Sequence, residues 1–257
     1  MRQVILICII LTCSPTHAEL PEFDKGPRPQ DFKLREYYAS RGLSISHKKI
    51  KTPADVKQTN DVVYSQRPGR LLHIDTFVPK KVNATKSVVV LVHGGGWKKG
   101  TRSGEHTKAA WFSGRGYVAV CPEYRLSGEA TFPAAIHDIK DAIRWTRKHA
   151  LQWGANPDNI VLMGFSAGAH LVALAATAGP EARLDLPDSQ KRSSSVAACI
   201  AVAGPSITND ERALLNARKP DSNYQLFFCF FSEDIPEIYE RGSPEHWVSG
   251  NQHPMLF

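Results

Sequence analysis

The chain has 257 residues, of which 42% are hydrophobic and 22% charged, and its formal net charge is +7. That describes a globular protein of a size suited to one large α/β domain, with no internal apolar stretch long enough to span a membrane. Its basic residues lie in short scattered groups ("HKKIK", "PKK", "WKKG", "QKR") rather than in a long run interleaved with aromatics, which argues against nucleic acid as a partner.

The first eighteen residues, "MRQVILICIILTCSPTHA", open on Arg2, continue as an apolar run from Val4 to Leu11 and end in a polar stretch closing on Ala18. This is the layout of a secretory signal peptide with cleavage after Ala18, and it places the protein outside the cytoplasm, secreted or periplasmic, with no integral membrane segment once the leader is gone. The three cysteines that follow the leader, Cys121, Cys199 and Cys229, sit in apolar runs. An odd number cannot all pair, so they read as core thiols and not as a disulfide framework.

Residues 19–58 are rich in proline, lysine and polar side chains and form a linker-like segment, which leaves 59–257 as the folded domain. "DVVYSQRPGRLLHIDTFVP" reads as two strands around Arg67-Pro68-Gly69-Arg70, a hairpin. "SVVVLVHGGG" and "GYVAVCPEYRL" are continuous apolar strand runs. "FPAAIHDIKDAIRWTRKHA" carries Ile136, Ile139 and Ile143 at helical spacing, with Pro133 in the first turn. "NIVLMG" is a third buried strand, "AHLVALAATA" a small apolar helix, and "VAACIAVAG" a fourth strand. Apolar strands alternating with helices predict a mostly parallel sheet with helices on both faces, with the chemistry at the carboxyl ends of the strands.

Two of those strand ends carry motifs. Gly164-Phe165-Ser166-Ala167-Gly168 lies between a strand and a helix, and G-x-S-x-G in that setting is a nucleophile elbow: the serine stands on a sharp turn whose flanking glycines give the neighbouring backbone room. "LVHGGGWKKG" puts His93, Gly94, Gly95 and Gly96 directly after another strand. Three glycines there suit a backbone that approaches a substrate closely, and such a loop supplies oxyanion-hole donors. The expected assignments are Ser166 as nucleophile, with the N–H groups of Gly95, Gly96 and Ala167 facing the oxyanion. Trp97 lines the substrate pocket or packs in the core. No G-x-G-x-x-G stands in a strand–helix setting, so a dinucleotide site is not expected.

"HGGGW" followed by "PEYRLSGEATFPAAIHDIKDAIRWTRKHALQWGANPDNIVLMGFSAGAHLVALAA" resembles the bacterial α/β-hydrolase esterases, and most of all the branch that includes bifunctional feruloyl and acetyl-xylan esterases, related to hormone-sensitive-lipase-type enzymes. The resemblance runs from about Asp61 to the end of the sequence and is most specific from Val92 to Ala176. "IPEIYERGSPEHWVS" also resembles a segment that these enzymes carry before a late strand. It implies an α/β-hydrolase fold and hydrolysis of carboxylic esters, including acetyl or feruloyl esters of carbohydrates, through an acyl-enzyme, with no metal or cofactor. "QLFFCFFSED" corresponds to a variable region near the site in that branch, and its apolar run equally suits a strand.

The family's triad order is serine, then an acid after a late strand in an "HGxxD" context, then a histidine. Here "PMLF" resembles the start of the strand that would deliver the acid. The expectation is therefore a domain whose last strands, acid and histidine lie beyond Phe257. His93 is expected to order the glycine loop, His170 to point into packing, and His137 and His149 to sit on a covering helix. His246 and His253 enter at the far end of the last strand. Asp185, Asp188, Asp210, Asp221 and Asp234 follow no strand in the acid's context, and Asp138 is expected to pair with Arg125. Two other classes remain open at this stage: a non-catalytic α/β-hydrolase-like protein, and a serine peptidase of the same fold, the latter weakened by the lack of a β-propeller-sized segment ahead of the domain.

Overall fold

The computed structural model describes residues 50–186, 192–229, 235–249 and 254–256. The leader, most of the linker-like segment, Asp188, Asp234 and His253 lie outside the described residues.

Seven strands form one sheet: β1 (Val56–Arg67), β2 (Arg70–Pro79), β3 (Val88–Val92), β4 (Val118–Pro122), β5 (Ile160–Phe165), β6 (Ala198–Val202) and β7 (Met255–Leu256). Their order is β1-β2-β4-β3-β5-β6-β7. The hairpin β1–β2 is antiparallel and joins β4 antiparallel, and from β4 through β3, β5 and β6 to β7 all neighbours are parallel. This is the mostly parallel sheet that the alternating pattern implies. β3, "VVVLV", is buried at every position, as a central strand covered on both faces requires.

Helices α1 (His106–Ser113), α2 (Ala134–His149) and α3 (Ala167–Thr177) cover the sheet. On one face Ile136, Ile139 and Ile143 of α2 and Leu171, Val172 and Leu174 of α3 pack on Val90, Val120, Ile160 and Leu162. On the other, Ala109 of α1 packs with Phe77, Val89, Leu91 and Cys121. The sequence reading missed α1, because "HTKAAWFS" shows almost no segregation of apolar from polar residues and offers no helical period to see. Pro133 is the residue that precedes α2. After β6 come the short helices α4 (Glu211–Ala217), α5 (Asn223–Phe228) and α6 (Pro236–Arg241). The run in "QLFFCFF" that equally suited a strand is helical through Phe228, because Ser222 caps its start by accepting a hydrogen bond from Gln225 N–H. Cys121 and Cys199 are buried free thiols, but Cys229 is exposed, which corrects its reading as a core thiol. It takes a left-handed conformation at the end of α5.

Asp138 is completely buried on α2 and takes hydrogen bonds from Arg125 Nε and Nη2, both at 2.8 Å, and from Arg67 Nε at 3.0 Å. One carboxylate thereby joins β1, α2 and the segment after β4, and the expected Asp138–Arg125 pair is present. Replacing Asp138 with alanine leaves the Arg125 guanidinium without its carboxylate at a buried position, while Arg67 keeps only Asp141. We expect a loss of about 3–5 kcal/mol in unfolding free energy, read by urea titration, against less than about 1 kcal/mol for removal of the exposed Glu129 carboxylate that meets Arg70.

Candidate active site

Ser166 stands at the turn from β5 into α3 with φ 55° and ψ −120°. A left-handed non-glycine residue costs about 1–3 kcal/mol, and its neighbours hold it there. Ser166 N–H donates to the Val202 carbonyl at 2.9 Å, and its own carbonyl accepts from His170 N–H at 3.1 Å. A Cβ on Gly164 would overlap the Gly168 carbonyl oxygen, and a Cβ on Gly168 would overlap that of Val92. The two glycines of the motif are therefore demanded by backbone crowding.

The loop after β3 lies against this turn. A Cβ on Gly94 would come within 2.6 Å of the Phe165 carbonyl oxygen. Gly95 (φ 125°) accepts from Lys98 and Lys99 N–H in a tight turn, and Gly96 (φ 61°) lies under the Asn223 carboxamide. His93 is buried, stacked on Tyr124 with ring centroids 4.3 Å apart, and donates from Nδ1 to the Gly94 carbonyl at 2.8 Å, while Tyr124 Oη–H donates to the His93 carbonyl. Burial lowers the His93 pKa. The far end of the loop is tied by Arg102, which the sequence reading did not single out. Its guanidinium binds Asp75, Glu123 and Asp61, and Asp75 also accepts from His106 Nε2–H at 2.8 Å.

Gly96, Trp97, Ser166 and Ala167 line one cleft of about 340 Å³, together with residues from Pro205 to Tyr224. Gly96 and Ala167 present N–H groups with no acceptor among the described residues. Gly95, between Gly94 and Gly96, uses its carbonyl in the turn with Lys98 and Lys99. Trp97 is part of the core and also borders the cleft: it is buried and stacked on Phe227 at 4.7 Å.

His170 is fully buried behind this wall. Its Nδ1 accepts from Trp97 Nε1–H at 3.2 Å and its Nε2–H donates to the Gly242 carbonyl at 2.7 Å. Both ring nitrogens are engaged, in agreement with a packing role. Of the other described histidines, His149 is committed to the Trp145 carbonyl, His73 to Glu123 and His246 to Glu240, and His137 lies on α2 away from the cleft lining. Asp185 binds Lys140 and Arg144, and Asp210 caps α4. Among the described residues the cleft is lined by no histidine and no carboxylate, and no group of three or more His, Cys, Asp or Glu is placed to hold a metal.

The family model BD-FAE matches residues 74–257. The chain belongs to the BD-FAE family. Among curated proteins it is similar to esterase LipQ of Mycobacterium tuberculosis, 31% identical over 209 residues covering 77% of this chain and 47% of the relative. It is also similar to esterase LipC of the same organism, at 28% identity over 200 residues covering 76% and 48%. Among solved structures, Thermogutta terrifontis esterase 2 aligns with a TM-score of 0.62 at 26% identity, covering 79% of this chain and 69% of that one. A bifunctional GH43-CE protein of Bacteroides eggerthii aligns with a TM-score of 0.65 at 25% identity, covering 77% and 30%. These likenesses and the sheet order give the α/β-hydrolase fold. The chain spans about half the length, or less, of the curated relatives it matches.

Burial holds the His170 pKa down to about 4, from an ordinary 6.5, and it holds His137 on α2 to about 4 as well. Between those values the unfolded chain binds protons that the native state refuses, so stability is full above pH 6.5 and falls as pH drops towards 4. Urea unfolding at pH 7.5, 6, 5 and 4.5 should show this decline, and His170→Gln should reduce its slope by about half, leaving the part due to His137. An unchanged slope in the variant would contradict the buried neutral imidazole.

Proposed function

We propose that the protein hydrolyses carboxylic esters through an acyl-enzyme on Ser166, with acetyl or feruloyl esters of carbohydrates as its substrate class. The observation that carries this is the convergence, on one cleft, of a serine held in left-handed geometry and two unpaired backbone donors, Gly96 N–H and Ala167 N–H. The Ser166 hydroxyl attacks the ester carbonyl, the carbonyl oxygen becomes an oxyanion between the two amides, and collapse expels the alcohol and leaves the acyl group on Ser166. Water then repeats the attack and releases the acid. Each oxyanion donor of this kind is worth about 10²–10³ in rate. Esterase naming of the relatives supports the reading, as does the capture of Thermogutta terrifontis esterase 2 in a form phosphorylated by paraoxon.

A serine hydroxyl needs a base to take its proton. Each described histidine is turned to another partner or lies away from the cleft lining, so the base and its acid come, in this reading, from outside the described residues, in the order serine, acid, histidine. The carbohydrate part of the reading rests on the BD-FAE match.

Incubation with a fluorophosphonate, followed by peptide mapping, should place the label on Ser166. Ser166→Ala should label nowhere and hydrolyse a phenyl ester no faster than about 10⁻³ of the active parent. Labelling that persists in the variant would remove Ser166 from the mechanism.

Export is part of the same proposal: the leader is removed after Ala18, so that the mature chain starts at Glu19. Intact mass of protein made in a secreting host checks it, and a product that retains Met1 to Ala18 contradicts it.

A further inference from the structure

We propose that Lys219, with Asn216 and Asn223, forms an anion subsite beside Ser166 that takes a carboxylate carried by the ester substrate. The word "ester" rests on the preceding reading, whereas the capture of a carboxylate does not. Apart from Ser166, the polar side chains lining the cleft are Asn216, Lys219, Ser222, Asn223 and Tyr224, with the Trp97 indole N–H already donated to His170. Their acceptor atoms are largely used internally. Asn216 Oδ1 accepts from Lys219 Nζ at 3.2 Å, and Ser222 Oγ accepts from Gln225 N–H at 3.0 Å. What they leave for a ligand is hydrogens: those of the ammonium group, the Asn216 amide and the Ser222 hydroxyl. The Asn223 carboxamide lies over Gly96 with its nitrogen nearest, so a further amide donor borders the oxyanion loop.

No acid lines this cleft, and Lys219 has no carboxylate within ion-pairing distance among the described residues. A wall of donors with one cation favours an anion, because a charge-assisted hydrogen bond is about twice as strong as a neutral one. The adjoining cavity of about 220 Å³ shares Pro205, Asn216 and Tyr224 with the cleft and holds Asp210. The Asp210 carboxylate repels an anion from that side, so the two cavities differ in sign and the substrate's carboxylate is directed to the Lys219 end. The predicted substrates are esters of dicarboxylic acids or of acidic alcohols, with the free carboxylate a short chain away from the scissile carbonyl.

The test uses the full chain carrying Ser166→Ala, which cannot turn over, and titrates it calorimetrically with monoethyl succinate and with diethyl succinate. The half-ester should bind about tenfold more tightly at low salt, and the preference should shrink at 0.5 M NaCl because Lys219 is exposed and open to screening. Adding Lys219→Met should abolish the preference, and adding Lys219→Glu should reverse it. As an exposed residue, Lys219 can be exchanged without threat to the fold. Equal affinity for the two probes, binding of neither, or a preference that survives Lys219→Met would overturn the subsite. If the half-ester binds as expected while the active parent fails to label on Ser166, the subsite stands and the ester-hydrolase reading falls alone.

Discussion

The constraint on which the rest of the site depends is steric and lies in the backbone. The turn between β5 and α3 is pressed so closely against the end of β3 that side chains at Gly164 and Gly168 would collide with the carbonyl oxygens of Gly168 and Val92. Two strand ends and one helix start are thereby locked at contact distance. Gly96, which follows β3, and Ala167, which begins α3, come to line the same cleft because of this lock and through no direct bond between them. The strain at Ser166 is tolerated because β3 and β5 are central, hydrogen-bonded over five consecutive residue pairs from Val88–Ile160 to Val92–Gly164. Rigid elements of this kind can hold a catalytic group in a costly conformation that a loop would relax.

The glycine loop needs more than that lock. Three adjacent glycines lose more chain entropy on ordering than any other triplet. Both flanks of the loop are therefore anchored by larger groups: His93 on Tyr124 at one end, and Arg102 in the carboxylates of Asp75, Glu123 and Asp61 at the other. Trp97 gives a third hold, since its indole N–H reaches His170 on α3. His170 can accept that proton only as the neutral tautomer with hydrogen on Nε2, which the Gly242 carbonyl in turn fixes. An imidazole four residues after a candidate nucleophile looks well placed to serve as its base, but here it is spent on geometry.

Much of this was legible in the sequence. The hairpin, the buried strands β3 to β6, the apolar face of α2 and the elbow all carry patterns that survive without tertiary context, because period, glycine placement and strand length are set locally. The Asp138–Arg125 pair could be anticipated from its setting. What was not legible depended on contacts distant in sequence. The coupling of Trp97 to His170 joins residues 73 apart. The Arg102 clamp collects acids from β1, β2 and the residue after β4, none of which forms a motif. Helix α1 is amphipathic in neither sense and is stabilised by packing on Phe77 and Leu91 rather than by its own pattern. The exposure of Cys229 follows from where α5 stops, which hydropathy alone cannot show.

The two sides of the cleft are held in different ways, and the difference has a chemical meaning. The side made by Gly96, Ser166 and Ala167 belongs to the central sheet and its crowded backbone. The side made by residues 216–224 belongs to the end of α4, the turn after it and the start of α5, short helices that begin on single side-chain caps, Asp210 and Ser222, with α5 secured by Phe227 and Phe228 against Trp97 and Phe132. Helices of six or seven residues have little stability of their own. The position of α5 is set by those aromatic contacts, so the polar side chains on this side can change with little cost to the sheet. On the proposed mechanism, bond-making chemistry, which needs sub-ångström placement, falls on the rigid side, and discrimination among substrates, which tolerates adjustment, falls on the side that is easiest to alter. A fold divided in this way can keep one reaction while its cleft is retuned in charge, which is the arrangement that the donor-rich wall around Lys219 displays.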